Sequence, residues 1–382
     1  MSDTIERNIG EVAQWAVEHR DTAALRQLLS ERGCYIYGAG GFGREVAVAV
    51  TEQGYELHGF VDTIGSGGEL VAGRSCHRPG ELDLAAAAEA VLILAVNNFK
   101  TPVEEIIGWA RSVPFADIVY VAELPDVLGP QLGHYWQSSR ASVAANAGQF
   151  ARLHAMLGDA RSREILAALA RYRISGRPEH HPEVDREHQY FPPDLPIGKP
   201  AISVVDCGAF PGDMLASVAA AGHRLENWYA FEPDPANFQH LRDVVDEKGG
   251  FASASLFPCG VGDRTGLVRF SDGAADASRA MGDGDSGGGG GVMVPIVRVA
   301  DVVHAEWIDM VKLDVEGFEA QAIDGMVDLL ERHRPRLAMA IYHRPADLWE
   351  LPFKIDALFP GARYAIRQHG YNGYDTVLYV DL

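Results

Sequence analysis

Several features that would direct a functional reading are missing from this sequence. No apolar run reaches the roughly 18 residues needed to span a bilayer; the longest, around Val91 to Val96, reads as a buried strand. Cysteine is scarce. The four cysteines (Cys34, Cys76, Cys207 and Cys259) lie far apart with no C-x-x-C pair, and three sit in or beside apolar strand candidates, which suits reduced core thiols. Positive charge is also short, with 33 basic against 53 acidic residues and a net charge of −20. That sign argues against bare nucleic acid as a partner, where a basic footprint is expected. The short basic stretch RHRPR (332–336) reads as a solvated helix end. The opening MSDTIERNIG is acidic and polar, unlike a signal peptide, so a cytoplasmic protein with no membrane partner is expected.

What is present is the composition of a globular protein, 47% hydrophobic and 23% charged over 382 residues, a length that implies two domains. Two short amphipathic helices come first. Ile5, Ile9, Val12 and Ala16 keep helical spacing, and Leu25, Leu28 and Leu29 follow the cap candidate Asp21, with Gly33 as the stop. These occupy 1–33. An α/β unit over 34–145 has strand signals at 34–37, 56–62, 90–96 and 117–121. A helical linker at 146–200 includes a helix that starts at the cap-like Asp159, stacks Ile165, Leu169 and Tyr172, and ends near Gly176. The polar, proline-rich stretch 177–200 marks the domain boundary. A second α/β series spans 201–382, with strand candidates at 202–206, 227–232, 255–262, 308–315, 336–343, 363–367 and 375–380. The fold class is α/β, with two doubly wound Rossmann-like domains. The second is a seven-stranded open sheet with an antiparallel edge strand. The run DGDSGGGGG (283–291) reads as mobile.

Two glycine loops carry opposite electrostatics. In the first, YIYGAGGFGREV, the strand Cys34–Tyr37 leads into Gly38, Gly40, Gly41 and Gly43, a G-x-G-x-x-G turn that seats a pyrophosphate on a helix N-terminus. Asp62, 24 residues after Gly38, completes the dinucleotide fingerprint. The second, VVDCGAFPGD, places Asp206 before Gly208, Ala209 and Gly212, with Asp213 in the first turn of the next helix. Carboxylates flanking the glycines repel a phosphate and welcome a cation. S-adenosylmethionine (SAM), with an ammonium, a sulfonium and no phosphate, is such a ligand. Glu232, 24 residues after Gly208 and at the end of the next strand, stands where ribose hydroxyls need an acceptor.

Together, DCGAFPGD, FEPDPANFQHL, CGVGDRTG, DMVKLDVEGFE and the preceding RYRISG and QYFPPDLP resemble FkbM-type SAM-dependent methyltransferases from about residue 159 onward. The resemblance implies O-methylation of a hydroxyl on a sugar, glycan or natural product. It also implies that Asp206, Gly208 and Glu232 hold SAM, that Asp263 or its neighbours approach the adenine, and that Gln189 and Tyr190 flank the pocket. Phe210 replaces the middle glycine of the general methyltransferase loop.

In DMVKLDVEGFEA, Lys312, Asp314 and Glu316 alternate, so an extended chain would point all three one way, toward a pocket or into a Lys312–Asp314 or Lys312–Glu316 pair. The next strand ends at His343. Methyl transfer to a hydroxyl needs positioning, and a base helps as the proton leaves. His343 ranks first as base and Asp314 second, with Glu316 and Lys312 completing the catalytic candidates. A divalent metal could sit on two carboxylates and an imidazole, but no motif demands one and none is expected. His180, His181 and His188 superficially resemble a metal tract and read as exposed loop histidines. His369 and Tyr371, in a turn before the last strand, read as hairpin residues that could instead overhang the acceptor.

The first domain also resembles the N-terminal nucleotide-sugar-binding domains of bacterial sugar acyltransferases through YGAGGFGREVA and GYELHGFVD. Its loop would take a nucleotide-sugar or related phosphorylated ligand, or NAD(P), or serve with no ligand as a structural or dimer-forming module; a homodimer stays open. Three function classes therefore compete. One is a methyltransferase acting on a small-molecule or glycan acceptor. The second is an NAD(P)-dependent oxidoreductase, although no dehydrogenase constellation follows the loop. The third is a non-catalytic SAM- or nucleotide-responsive interaction protein.

Overall fold

Strands and helices alternate to build two separate parallel-rich sheets in the computed structural model, which describes residues 9–63, 70–98, 102–271, 280–281 and 291–382. Ile5 and most of the glycine run 283–291 lie outside those residues. The chain divides into two units. One takes Met1–Ala155, Arg163–Val184 and Gly370–Asp375; the other takes Met156–Ser162, Asp185–His369 and Thr376–Leu382. The proline-rich stretch 177–200 is thus shared, changing unit after Val184.

In the first unit, β1 (Cys34–Tyr37), β2 (Leu57–Val61), β3 (Cys76–His77), β4 (Val91–Leu94) and β5 (Asp117–Val119) lie in the order β3-β2-β1-β4-β5, all parallel. β1 and β4 are buried at every position, the reason they read as unbroken apolar runs. Between them the strand order reverses, which opens a crevice beyond their carboxyl ends. The two-residue β3 is too short to leave a sequence signal. The helix Thr22–Arg32 starts at Asp21, whose carboxylate accepts from Ala23 and Ala24 N–H, and stops at Gly33 with φ +65°.

In the second unit, β6 (Ala201–Cys207), β7 (Arg224–Phe231), β8 (Phe251–Phe257), β13 (Met310–Leu313), β14 (Arg336–Ala340), β15 (Arg363–Gln368) and β16 (Thr376–Asp381) form a seven-stranded sheet. Its order is β15-β16-β14-β13-β6-β7-β8. The antiparallel strand is β16, one place in from the edge, because it pairs with β15 on one side and β14 on the other. A small second sheet, absent from the sequence reading, joins β9 (Gly260–Val261), β10 (Gly266–Ser271), β11 (Ala280–Met281) and β12 (Gly291–Val297). The expected strand 255–262 is split between β8 and β9, with Pro258 following the last residue of β8, where a missing N–H ends a ladder. The arm 185–200 is tied to this unit by Arg367, whose guanidinium donates to Asp194 at 2.8 Å and to Ser162 at 2.8 Å. Asp159 caps the helix Ala160–Ser175 by accepting Ser162 N–H.

Cys34, Cys207 and Cys259 are buried and Cys76 half-buried, and all four are free thiols. Burial pushes the Cys34 thiol up to about 12, which keeps it protonated and inert. Among the described residues, no helix is long and apolar enough to cross a membrane.

Candidate active site

At the carboxyl end of β6, Asp206 is fully buried and accepts from Trp228 Nε1 at 3.2 Å, with Lys312 Nζ 3.2 Å from its other oxygen. Lys312 stands beside Asp206 in the β6–β13 register and also donates to the Gly208 carbonyl. Burial lowers the Lys312 pKa, but Asp206 and Asp314 more than offset it and hold it above the ordinary lysine value. Lys312 therefore fixes the glycine loop. The expected Lys312–Asp314 or Lys312–Glu316 pairing gives way to Asp206, because β13 ends at Leu313 and the chain turns at Glu316, where φ is +54°.

The loop itself is shaped by close approach. Gly208 has φ +81°, and a Cβ there would stand 1.9 Å from the Asp314 carbonyl oxygen. Gly208 and Ala209 N–H both donate to Phe231 O, and Gly212, with φ +95°, caps the helix Asp213–Ala220. Phe210 takes φ +48° and is largely exposed. Its N–H donates to Glu232 Oε2 at 2.8 Å, while Asp234 N–H donates to Oε1 at 2.8 Å. Burial raises the Glu232 pKa, opposed by those backbone bonds, and burial likewise raises that of Asp213. Glu232 is thus a buried acid beside the loop, while Asp213 keeps an exposed face at the start of its helix, and both suit a cation.

One strand over, three carboxylates surround His343, which is only 3% exposed. Its Nε2 lies 3.3 Å from Asp314 and 3.6 Å from Glu316, and its Nδ1 lies 2.8 Å from Glu319. Burial works against a charged imidazole, but Glu319, Glu316 and Asp314 outweigh it and hold the pKa well above the usual histidine value. The carboxylates on both ring nitrogens thus favour the protonated imidazole, which makes His343 a weaker base than an ordinary histidine unless a bound group offsets their charge. Burial would raise Asp314, yet the His343 hydrogen bond, His343 charge, Lys312 and Tyr190 hold it well below the usual carboxylate range. Asp314 also accepts from Tyr190 OH at 2.9 Å, and Gln189 donates to that hydroxyl at 3.2 Å. Tyr190 is itself held at φ +71° by Tyr379, whose hydroxyl accepts its N–H. Among the described residues, three of the eight non-glycine residues at positive φ, Tyr190, Phe210 and Glu316, lie at this rim.

Asp206, Gly208, Ala209, Gly212, Asp213, Glu232, Lys312, Asp314, Glu316, His343, Gln189 and Tyr190 all fall on this carboxyl-end rim or the arm beside it. Asp263 sits beyond β9, exposed, 3.6 Å from Arg264. Glu319 was missed. It is 1% exposed and also accepts Val315 N–H, and its signal was an acid in the first turn of the helix Glu319–Asp324. Trp228 and Tyr379 were also missed, since an apolar strand gives no sign of which aromatic will donate to a site carboxylate or accept a backbone N–H.

The loop histidines are half-buried rather than exposed. His180 meets Ser175 Oγ at 2.7 Å, His181 accepts Gly373 N–H, and His188 meets Asp185 at 2.8 Å. His369 is buried between Asp185 O and Tyr379 OH, a structural position, and Tyr371 lies in the turn from β15 to β16. Among the described residues, the metal-ligand geometry is met by Asp314, Glu316 and His343.

In the first unit, Gly38 takes φ +106°, with the Ala95 carbonyl 2.8 Å from a would-be Cβ, and Gly43 packs on the Gly38 carbonyl. Gly40 and Gly41 face open space, and Asp62 accepts Ala39 N–H at 2.8 Å.

Residues 206–372 match the family model of the methyltransferase FkbM domain. Among solved structures, the chain is similar to methyltransferase FkbM from Methylobacillus flagellatus KT, with 22% identity and a TM-score of 0.77 over 98% of this chain and 99% of that one. At this identity the likeness establishes a shared fold. The METTL16 MTase domain overlaps 48% of this chain and 60% of its own, at 10% identity and a TM-score of 0.30. No curated protein matches the chain.

Proposed function

We propose that the second unit transfers the methyl group of SAM to a hydroxyl of a sugar, glycan or natural product. The observation that carries this reading is the pair of buried acids, Asp206 and Glu232, bordering a glycine loop one strand away from a carboxylate–imidazole cluster. A methyltransferase FkbM domain over 206–372 supports a SAM-dependent methyltransferase. The donor set fits SAM. The carboxylates suit its ammonium and sulfonium, and each Glu232 oxygen, already accepting one backbone N–H, keeps a lone pair for a ribose hydroxyl. SAM supplies an electrophilic methyl group; the protein supplies position and proton handling. Asp314, Glu316 and His343 hold the acceptor's hydroxyl, and a carboxylate takes its proton as the new C–O bond forms.

Incubating the full chain with methyl-labelled SAM and a panel of sugar and polyol acceptors should transfer label, and Asp314→Asn should lower the rate about 100-fold or more with SAM affinity kept. SAM binding without transfer to any acceptor would favour a SAM-responsive interaction protein, and hydride transfer from NADH would favour an oxidoreductase. For the first unit we infer a nucleotide diphosphate, a nucleotide-sugar foremost, at the open Gly40–Gly41 face and the helix N-terminus behind it. A thermal-shift panel of UDP-sugars and NADH tests this, since a ligand of the folded state raises apparent stability.

A further inference from the structure

Carboxylates gather where β13 and β14 end. Asp314, Glu316 and Glu319 surround His343, and Asp347 lies close enough for Glu319 to raise its pKa. Among the described residues, Arg344 approaches with its Nε 3.3 Å from a would-be Cβ on Gly317, and Lys312, paired with Asp206, also acts on Asp314. Carboxylates gathered in a partly buried site favour a cation among them.

The geometry matches such a cation. Ligand atoms of Asp314, Glu316 and His343 all lie within 4.8 Å of one another, with Nε2 at 3.3 and 3.6 Å from the two carboxylates. Adjacent ligands of an octahedral ion with bonds of about 2.1 Å stand about 3 Å apart, so small side-chain shifts suffice. The imidazole is also oriented as a ligand's would be. Nδ1 faces Glu319 at 2.8 Å, which leaves Nε2 directed at the carboxylates, the carboxylate–histidine arrangement that orients metal-bound imidazoles. Glu319 is in turn fixed by the N–H groups of Val315 and Gly317.

We propose that Asp314, Glu316 and His343 Nε2 bind one divalent cation of the Mg²⁺/Mn²⁺ class, the imidazole releasing its Nε2 proton to solvent as the ion enters, with Glu319 as the positioning residue, and that its open coordination positions chelate two neighbouring oxygens of the acceptor. Mixed oxygen and imidazole donors suit these ions. An ion with three protein ligands keeps room for a vicinal diol, which narrows the acceptor class to sugars or polyols with adjacent hydroxyls. The bound hydroxyl loses its proton more readily, and that proton passes to a carboxylate or solvent as oxygen takes the methyl group. The acceptor half of this proposal rests on the methyl-transfer reading; the cation site does not.

The test uses the full chain, stripped with EDTA and titrated with MnCl₂ while the free-Mn²⁺ EPR signal is followed. One site per chain is expected, with Glu316→Gln weakening it at least about 10-fold and Glu319→Gln doing so to a smaller extent. Glu316 is 35% exposed, so its variant should fold; unchanged melting confirms this, and Asp314→Asn provides a second ligand variant. Wild-type protein that takes up no Mn²⁺, or ligand variants that bind it as well as wild type, would overturn the proposal. Calorimetric SAM titration in EDTA separates the two claims. SAM binding without Mn²⁺ uptake rejects the cation alone, whereas Mn²⁺ uptake without SAM binding rejects the methyl-transfer reading and leaves the cation site standing.

Discussion

The two glycine loops are built on the same backbone plan and differ at a few side chains. In each, the first glycine packs against the carbonyl of the residue that follows the neighbouring strand, Ala95 for Gly38 and Asp314 for Gly208. In each, an acid following the next strand accepts a loop N–H, Asp62 from Ala39 and Glu232 from Phe210. The strand positions beneath the loops then diverge. Where β1 and β4 pair Ile36 with Ile93, β6 and β13 pair Asp206 with Lys312. Where the first loop rests on Ala95, the second rests on Asp314. On the proposed reading, a doubly wound sheet supplies a crevice and a loop, and the charge of two or three side chains sets which ligand suits it.

The most severe way to break this comparison is to remove one half of the buried ion pair. Lys312→Met leaves Asp206 uncompensated and should cost about 3–5 kcal/mol in urea unfolding. Giving the second loop the apolar pair of the first, with Asp206→Ile and Lys312→Ile together, should recover most of that loss while SAM affinity disappears. A double variant no more stable than the single one would mean that the pair is not a self-contained unit.

The glycines sharpen the likeness. Gly38→Ala and Gly208→Ala each force a side chain to positive φ and into a carbonyl, so each should cost about 2 kcal/mol or more. Gly208→Ala should cost more, since its Cβ would approach to 1.9 Å rather than 2.8 Å. Only Gly208→Ala should disturb SAM binding.

Charge crowding in the second site should also appear in its pH dependence. Burial and then Glu319 raise the Asp347 pKa from 3.8 to about 7, against His343 and Arg344. The folded state therefore holds this proton more tightly than the unfolded chain between those values, and stability falls as pH rises through that window and levels off above it. Asp347→Asn, unfolded in EDTA, should gain about 1 kcal/mol or more relative to wild type between about pH 4.5 and pH 8. An unchanged difference across that range would place the carboxyl in a less desolvated setting.

The smallest effects belong to the two loop acids. Glu232→Gln should weaken SAM about 10-fold by removing charge from a ribose acceptor. Asp62→Asn should cost about 1 kcal/mol by weakening its bond to the loop and leave SAM affinity unchanged.

Much of this was legible beforehand. Buried central strands such as β1, β4 and β6 appear as apolar runs because parallel strands are covered on both faces, and the glycine loops appear because close carbonyl contacts exclude a side chain. Alternation in DMVKLDVEGFEA put Asp314 and Glu316 on one side, and the structure brings both to His343; the alternative that paired Lys312 with one of them gives way to Asp206, since the chain does not stay extended beyond Leu313. His343 was found from its place at a strand end. The upward pull on its pKa was not, because that depends on Glu319, a helix-start acid whose approach only the folded chain reveals. The small sheet around β10 and β12 was hidden by the glycine-rich chain between its strands.

The central claim is that the second unit, and not the first, holds SAM. Calorimetric titration of SAM into wild-type, Gly38→Ala and Gly208→Ala proteins tests it most directly. The expected result is one SAM per chain for wild type and Gly38→Ala, with binding lost in Gly208→Ala. Absence of SAM binding to wild type, or its loss in Gly38→Ala with retention in Gly208→Ala, would contradict it.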